Sequence, residues 1–406
     1  MSEEMKNLNE QPEEAPVENV ETQVEPQEEP QQDFSQFEAR KPLNLDKKTL
    51  AIIGGAAAAV IVVVGIIIAL ILGGQKTPDN GPVLNDYTLG MGAVVSIDDT
   101  NAQVDGIVAA VVLDKNGVIV HCYVDAIQNK VTIKDDGTFT IGNTKTKREL
   151  GFNYNMAAFG TSLVGNEKVK EWFEQADAFE AWCVGKTIAQ VEAMATQVKG
   201  EHNYVISADE ALLAAGCTIS IEDFVKAVVK AGNDDQKVSF QTAGTITLGL
   251  AINSADSGST AYDTENSKDG AIQVYSDFAA TALVDGKVVA SLNDAIQPKT
   301  TFGADGKITG TSFKGTKREL KEGYNMAAFG TSLVGNEKVV EWYLQSAAFS
   351  AHIVGKTSDE IKNLPVQTKG EHNYIISNDS ALLGAGCTMS IDGIQAVVMK
   401  AIDNAK

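Results

Sequence analysis

The sequence predicts an α+β protein: two tandem copies of a small antiparallel-sheet-plus-helices domain, preceded by one transmembrane helix and a disordered tail. Three observations lead there. Residues 154–169 read YNMAAFGTSLVGNEKV and residues 324–339 read the same, at an offset of 170 that runs without a gap from Lys145/Gly315 to Thr218/Thr388. Residues 50–72 carry no charge. Within each copy the apolar pattern changes from strand-like to a period of three and four.

A period of 170 residues is far longer than the roughly 20–50 of a solenoid. It is close to the size of an independent domain, roughly 100–150 residues. Each copy is therefore expected to fold alone. A site found in one copy should be sought in the other.

In chain order, residues 1–49 form an acidic cytoplasmic tail. Its first 37 residues hold eleven acids against a single base, Lys6, with Gln and Pro filling much of the rest. Such a stretch buries too little apolar surface to offset its chain entropy. It serves as a solvated spacer or as a docking tail.

Residues 50–72 would measure roughly 34 Å as a helix at about 1.5 Å per residue, enough to cross a lipid bilayer once. The run is too long and too far from the start for a signal peptide. Arg40, Lys41, Lys47 and Lys48 precede it and Lys76 follows. Basic residues stay inside. The expected location is thus the cell membrane, single-pass, with the N-terminus cytoplasmic and both copies extracytoplasmic.

Residues 73–85 are a linker, 86–232 the first copy, 233–243 a second linker and 244–406 the second copy. In the first copy, residues 104–113 read as a strand and Asp114-Lys115-Asn116-Gly117 as a hairpin turn, with 118–126 returning. The second copy repeats this with 279–284, Asp285-Gly286 and 287–293. Asp136-Gly137 and Asp305-Gly306 mark a further turn. The polar stretch 251–270 has no counterpart of equal length in the first copy and reads as a long loop or decorated edge.

The second half of each copy is helical. Residues 166–184 place Val169, Trp172, Phe173, Ala176, Phe179 and Cys183 on one face. Thr187-x-x-Gln190 and Ser207-x-x-Glu210 are capping-box starts. Gly216 closes the second of those helices. Ser220 is expected to cap a last helix over 221–231, with Ser390 its equivalent.

Net charge of −21 excludes nucleic acid as a partner, because an acidic chain repels phosphate backbones. Of four Cys, only Cys217 and Cys387 occupy equivalent positions, so no disulfide framework repeats with the domain. A Cys122–Cys183 bridge stays open. No CxxC or His spacing suggests a metal. No nucleophile–base–acid set is present, and no enzyme is expected.

A strand pair built on V-x-x-D-G-x-I/V, a Gly-containing turn of small residues, a Thr and a terminal amphipathic helix resemble the FMN-binding domain of bacterial exported flavoproteins, over roughly 130 residues per copy. The family's turn reads Ser/Thr-Gly-Ala-Ser/Thr, and its last hydroxyl can be linked to FMN through phosphate. Here the turns read Ala215-Gly216-Cys217-Thr218 and Ala385-Gly386-Cys387-Thr388. The family's first hydroxyl is replaced by Ala, and its acid six positions before the acceptor is Leu212 or Leu382. The middle segments look like a degenerate clostridial branch of the family.

The resemblance implies FMN as cofactor, held by Gly216, Cys217, Thr218 and Ser220 and by Gly386, Cys387, Thr388 and Ser390. It also implies electron transfer with a membrane or surface redox partner. The alternative is a non-catalytic surface module, binding or structural, that keeps the fold without flavin. Physics permits an anion at the start of the last helix, or only a cap. Lys147-Arg148 (Lys317-Arg318) and Glu201-His202 (Glu371-His372) are further polar candidates. Asn155, Met156 and Phe159 lie on a loop that could flank a flavin ring.

Overall fold

The computed structural model describes residues 83–406 apart from 161, 166–167, 331 and 336–338. The tail and the apolar run 50–72 lie outside the described residues. Among the described helices, none is long and apolar enough to cross a membrane.

Strands β1 (Asn85–Ile97), β2 (Val104–Asp114) and β3 (Ile119–Asn129) form the first sheet. Small hairpin strands β4 (Val131–Ile133) and β5 (Phe139–Ile141) follow. Next come α1 (Lys147–Leu150), α2 (Trp172–Cys183), α3 (Ile188–Glu192), the hairpin β6 (Thr196–Lys199) and β7 (Tyr204–Ser207), α4 (Glu210–Ala214) and α5 (Glu222–Asn233). Strand β8 (Val238–Thr242) adds to the first sheet, whose order is β3-β2-β1-β8.

The second copy repeats the order. Strands β9 (Ile246–Asp256), β10 (Gly270–Ile272), β11 (Val274–Val284), β12 (Lys287–Ile296), β13 (Lys299–Phe302) and β14 (Ile308–Ser312) come first. They are followed by α6 (Lys317–Leu320), α7 (Trp342–His352), α8 (Ser358–Lys362), β15 (Val366–Lys369), β16 (Tyr374–Ser377), α9 (Ser380–Gly384) and α10 (Asp392–Asp403). The second main sheet is β12-β11-β9, and the named strand pairings are all antiparallel.

Alternation along the strands decides the layering. In β2, Ala109, Val111 and Leu113 face α2 and α5, while Val108, Ala110 and Val112 face the other sheet. The second sheet does the same, with Ala279 and Leu283 under α7 and α10 and Phe278, Ala280 and Ala282 turned inward. The result is four layers: helices, sheet, sheet, helices. The inner core takes nine buried side chains from the first copy and ten from the second. The two copies thus share this inner core, and each has a further core of its own under its helices.

Strands β1 and β9 escape a pattern reading because glycines interrupt them. The glycines are there for the last helix of each copy. A Cβ on Gly90 would lie 2.0 Å from the Ala231 carbonyl oxygen, and one on Gly249 would lie 1.7 Å from that of Ala401. Strand β8 corrects the linker 233–243. Stretch 251–270 is strand to Asp256 and then a loop tied by bridges Thr260–Ala271 and Asp263–Lys268. Asp285 and Gly286, both at positive φ, make the tight turn between β11 and β12.

The starts of α2 and α4 move. Helix α2 begins at Trp172 because the Glu171 carboxylate holds the Met156 and Ala157 amides at 2.8 and 3.1 Å, while Glu174 reaches back to the Glu171 amide. Thr187 caps α3 as expected, with its Gln190 partner. Asp209, not Ser207, caps α4, and the Ser207 hydroxyl accepts from the Asp209 amide.

Candidate functional site

The motif Ala215-Gly216-Cys217-Thr218 begins as the end of α4. Gly216 takes φ +92° and its N–H returns to the Leu213 carbonyl, an αL helix end that glycine suits. This turn delivers Cys217 into the core under α2 and α5, leaving it 1 % exposed. Thr218 is buried behind it.

A glutamine occupies what a phosphate would need. Gln175 projects from the first turn of α2, fully buried. Its Oε1 accepts from the Thr218 amide at 2.8 Å and the Ile219 amide at 3.1 Å. Its Nε2 donates to the Lys170 carbonyl at 2.8 Å. In the second copy, Gln345 receives the Thr388 and Met389 amides, both at 2.8 Å, and donates to the Val340 carbonyl at 2.7 Å. The Thr hydroxyls lie 3.5 Å from the same carboxamide oxygens.

The helix start beyond is no anion site as it stands. Ile221 and Ile391 are the N-caps of α5 and α10, with no side-chain cap bond, so Ser220 and Ser390 do not cap. The Ser220 hydroxyl points back to the Val205 carbonyl, and that of Ser390 to the Asp392 carboxylate at 2.8 Å. Glu222 and Asp223 fill the first turn of α5, and Asp392 that of α10, which complements the helix dipole and opposes a phosphate. Over Gly216 lies Lys170, whose amine is bound to the Ala215 carbonyl at 2.9 Å. The eight candidate residues are thus brought together in two sets of four: Cys217, Thr218, Cys387 and Thr388 are buried, Gly216, Gly386 and Ser390 half-buried, and Ser220 exposed. They do not fit FMN phosphate in this arrangement.

The basic pairs are internal too. Lys147 lies over the Tyr154 and Trp172 rings, and Lys317 over Tyr275, Tyr324 and Trp342. Arg148 is paired to Glu180 and Asp177, while Arg318 is paired to Asp234. Both basic segments are seated on a buried acid. Asp125 and Asp294 accept from the Arg148 and Arg318 amides, and burial pushes each up to about 6. All four cysteines are free and buried, with Cys122 against Cys183.

The exposed features are elsewhere. Glu201 and His202 sit on the β6–β7 turn, where Gly200 and Asn203 take positive φ and the His202 ring meets the Tyr204 ring edge-on. A Cβ on Gly200 would lie 3.1 Å from Leu163, so this turn touches the loop that follows Tyr154; Gly370 and Leu333 repeat the contact at 3.3 Å. Asn155 takes αL backbone at the start of that loop, and the Met156 thioether meets the Gln175 amide.

Sequence reading missed Gln175 and Gln345. Their signal was present: Gln holds its place while Phe173/Tyr343, Glu174/Leu344, Ala176/Ser346 and Asp177/Ala347 differ around it. Comparison with family models, curated proteins and solved structures gives no match for this chain.

Proposed function

We propose that the protein is a non-catalytic, extracytoplasmic binding module, anchored through residues 50–72, which keeps this fold without flavin and presents one interaction surface twice. One observation carries the reading. The loop 154–169 and the turn 199–204 are identical to 324–339 and 369–374, and Lys199 to Tyr204 are exposed. Some buried positions of the same copies differ, as Cys183/Ile353, Met194/Leu364 and Phe224/Ile394 do, while others such as Trp172/Trp342 and Phe179/Phe349 are the same. Cores ordinarily constrain sequence more than surface turns do. Full identity of the exposed turns 199–204 and 369–374, beside a core that is only partly identical, favours a surface that is used, in both copies, for one kind of partner.

The competing reading, flavin binding or electron transfer with a redox partner, rests on the order Gly-Cys-Thr. The Gln175 and Gln345 carboxamides count against it. Two measurements decide. Purified protein should show no absorbance near about 450 nm, a property of the cofactor itself, and no FMN binding on titration. A photo-crosslinking residue placed at Asn203 or at Asn373 should capture the same partner on intact cells. Flavin colour, or different partners at the two positions, would overturn the proposal.

A further inference from the structure

The two sheets are tied by a polar pair on one side of the inner core. There the Asn129 carboxamide, at the end of β3, donates to the Ser254 hydroxyl of β9 at 3.3 Å. The equivalent residues are Pro298, after β12, and Val95, in β1. Tyr154 and Tyr324, whose hydroxyls meet Gln128 and Gln297, fix the first equivalence, and Gly90 and Gly249 fix the second. Proline carries no donor, so the tie is not repeated. Val95 instead lines an open groove of about 520 Å³, walled by α5 and by residues 313–319.

Strand β1 has a free edge in this groove. Strand β8 covers that edge only as far as Leu89. Beyond it, the Met91 amide goes to the Asp234 carboxylate at 3.3 Å and the Ala93 carbonyl to the Lys230 amine at 2.9 Å. Alternate residues of an antiparallel strand turn their amide and carbonyl to the same side. Val95 and Ile97 therefore face this edge too, and among the described residues they have no partner on it. From Ala93 to Ile97 the edge is roughly 16 Å long at about 3.3 Å per residue. A free edge of this kind is a template for another strand.

The walls define which strand fits. Val95, Ile97 and Phe313 lie along the inner core, so one face of an added strand meets apolar surface. Lys226 and Lys230 stand on the side of α5, and exposed Lys314 lies near the mouth. Three lysines and one acid, Glu319, line the groove, and Glu319 is already matched by Lys230 at 2.7 Å. Lys226 is held only by Asp223, in an exposed pair that a ligand can replace. This is a basic rim on a chain of net charge −21. Phe313 and Lys226 stand where the equivalent positions hold Asn143 and Ala396.

We propose that the β1 edge binds an extended segment of a partner protein, alternately apolar and acidic, as one more antiparallel strand. Its apolar residues lie opposite Val95 and Ile97, beside Phe313, and exchange main-chain hydrogen bonds with them. Its acids turn to Lys226 and Lys230. The surface uses none of the residues of the loop and turn that the chain presents twice.

A labelled hexapeptide of alternating valine and glutamate, titrated into the detergent-solubilised full-length chain and followed by fluorescence anisotropy, tests this. One saturable site is expected, weakened by salt, with an alternating valine–lysine peptide at least tenfold weaker. N-methylation of the valines, whose amides face β1, should abolish binding, and N-methylation of the glutamates should not. Val95→Pro removes an outward amide without touching the β1–β2 ladder and should also abolish it. Should Val95→Pro not fold, Lys226→Glu with Lys314→Glu, both at exposed positions, should still weaken binding at least tenfold. No saturable binding, equal affinity for the lysine peptide, or equal loss on methylating either set overturns the proposal. So does a dimer of the chain that Val95→Pro dissolves, which would assign the edge to a second copy.

Discussion

The Lys230 amine lies 2.7 Å from Oε1 of Glu319, across the boundary between the copies, and Lys400 lies 2.8 Å from Oε1 of Glu149. Each amine also donates to a carbonyl of the first strand in its own copy, Ala93 or Ile252. Such reciprocity, where one residue meets a second and its equivalent meets the first's, is the signature of a two-fold interface. Here it closes within a single chain. The first pair is exposed and the second half-buried, both in reach of solvent, so each should contribute little. Lys230→Met and Lys400→Met are expected to cost under about 1 kcal/mol apiece in urea unfolding, less in high salt. A loss several times larger in either would place the interface energy in these ion pairs rather than in the apolar layer.

That layer makes the second expectation. A fragment ending at residue 244 carries the whole first sheet but exposes its inner face, with Leu89, Val108 and Val112 laid bare. Alone it should aggregate or lack a cooperative melt. Co-expressed with residues 245–406, it should assemble into a one-to-one pair. Light scattering coupled to size exclusion reads the result, and a monomeric, cooperatively melting fragment would show that the shared core is dispensable.

Gln175 gives an order of effects. Gln175→Ala leaves two buried amides, those of Thr218 and Ile219, without an acceptor. At about 1–3 kcal/mol per unsatisfied group, the loss should be roughly 2–4 kcal/mol after relaxation. Thr218→Val removes only a hydroxyl 3.5 Å from its neighbour and should cost under about 1 kcal/mol. Urea midpoints of the two variants test this, and the reverse order would return Thr218 to a central role.

Asp277 sets a pH dependence. Burial pushes it up to about 7, against the opposing pull of Lys317, while its ordinary value is 3.8. Between those values the folded chain holds a proton that the unfolded chain has released. The stability from this group is therefore complete below about pH 4 and is lost as pH rises through about 7. Asp125 and Asp294, pushed up to about 6, act in the same direction. Asp277→Asn cannot ionise. It should be more stable than the parent at pH 8, by up to about 4 kcal/mol at 1.36 kcal/mol per pH unit, and should flatten the pH profile. Equal slopes for parent and variant between pH 5 and 8 would show that Asp277 does not titrate there.

Local signals were legible where local chemistry decides. The turns at Asn116-Gly117 and Asp285-Gly286, the Thr187–Gln190 capping box and the apolar face of α2 all follow from short-range pattern. The candidate motif was legible as residues and not as an environment: nothing near Gly216-Cys217-Thr218 in sequence says that Gln175, more than forty positions earlier, will fill its amides.

By itself the sequence determined that the chain is doubled, that each copy is α+β, and where most turns and several helices fall. These depend on identity and on periods of two to four residues, which the chain carries along itself. Only the tertiary structure decided that the copies share a core, that Gly90 and Gly249 belong inside strands, and that Arg148 meets Glu180 while Arg318 meets Asp234. An alternating strand has two apolar faces to cover, and the sequence does not say with what. Burial and pairing arise between residues far apart in the chain, where no periodicity records the partner.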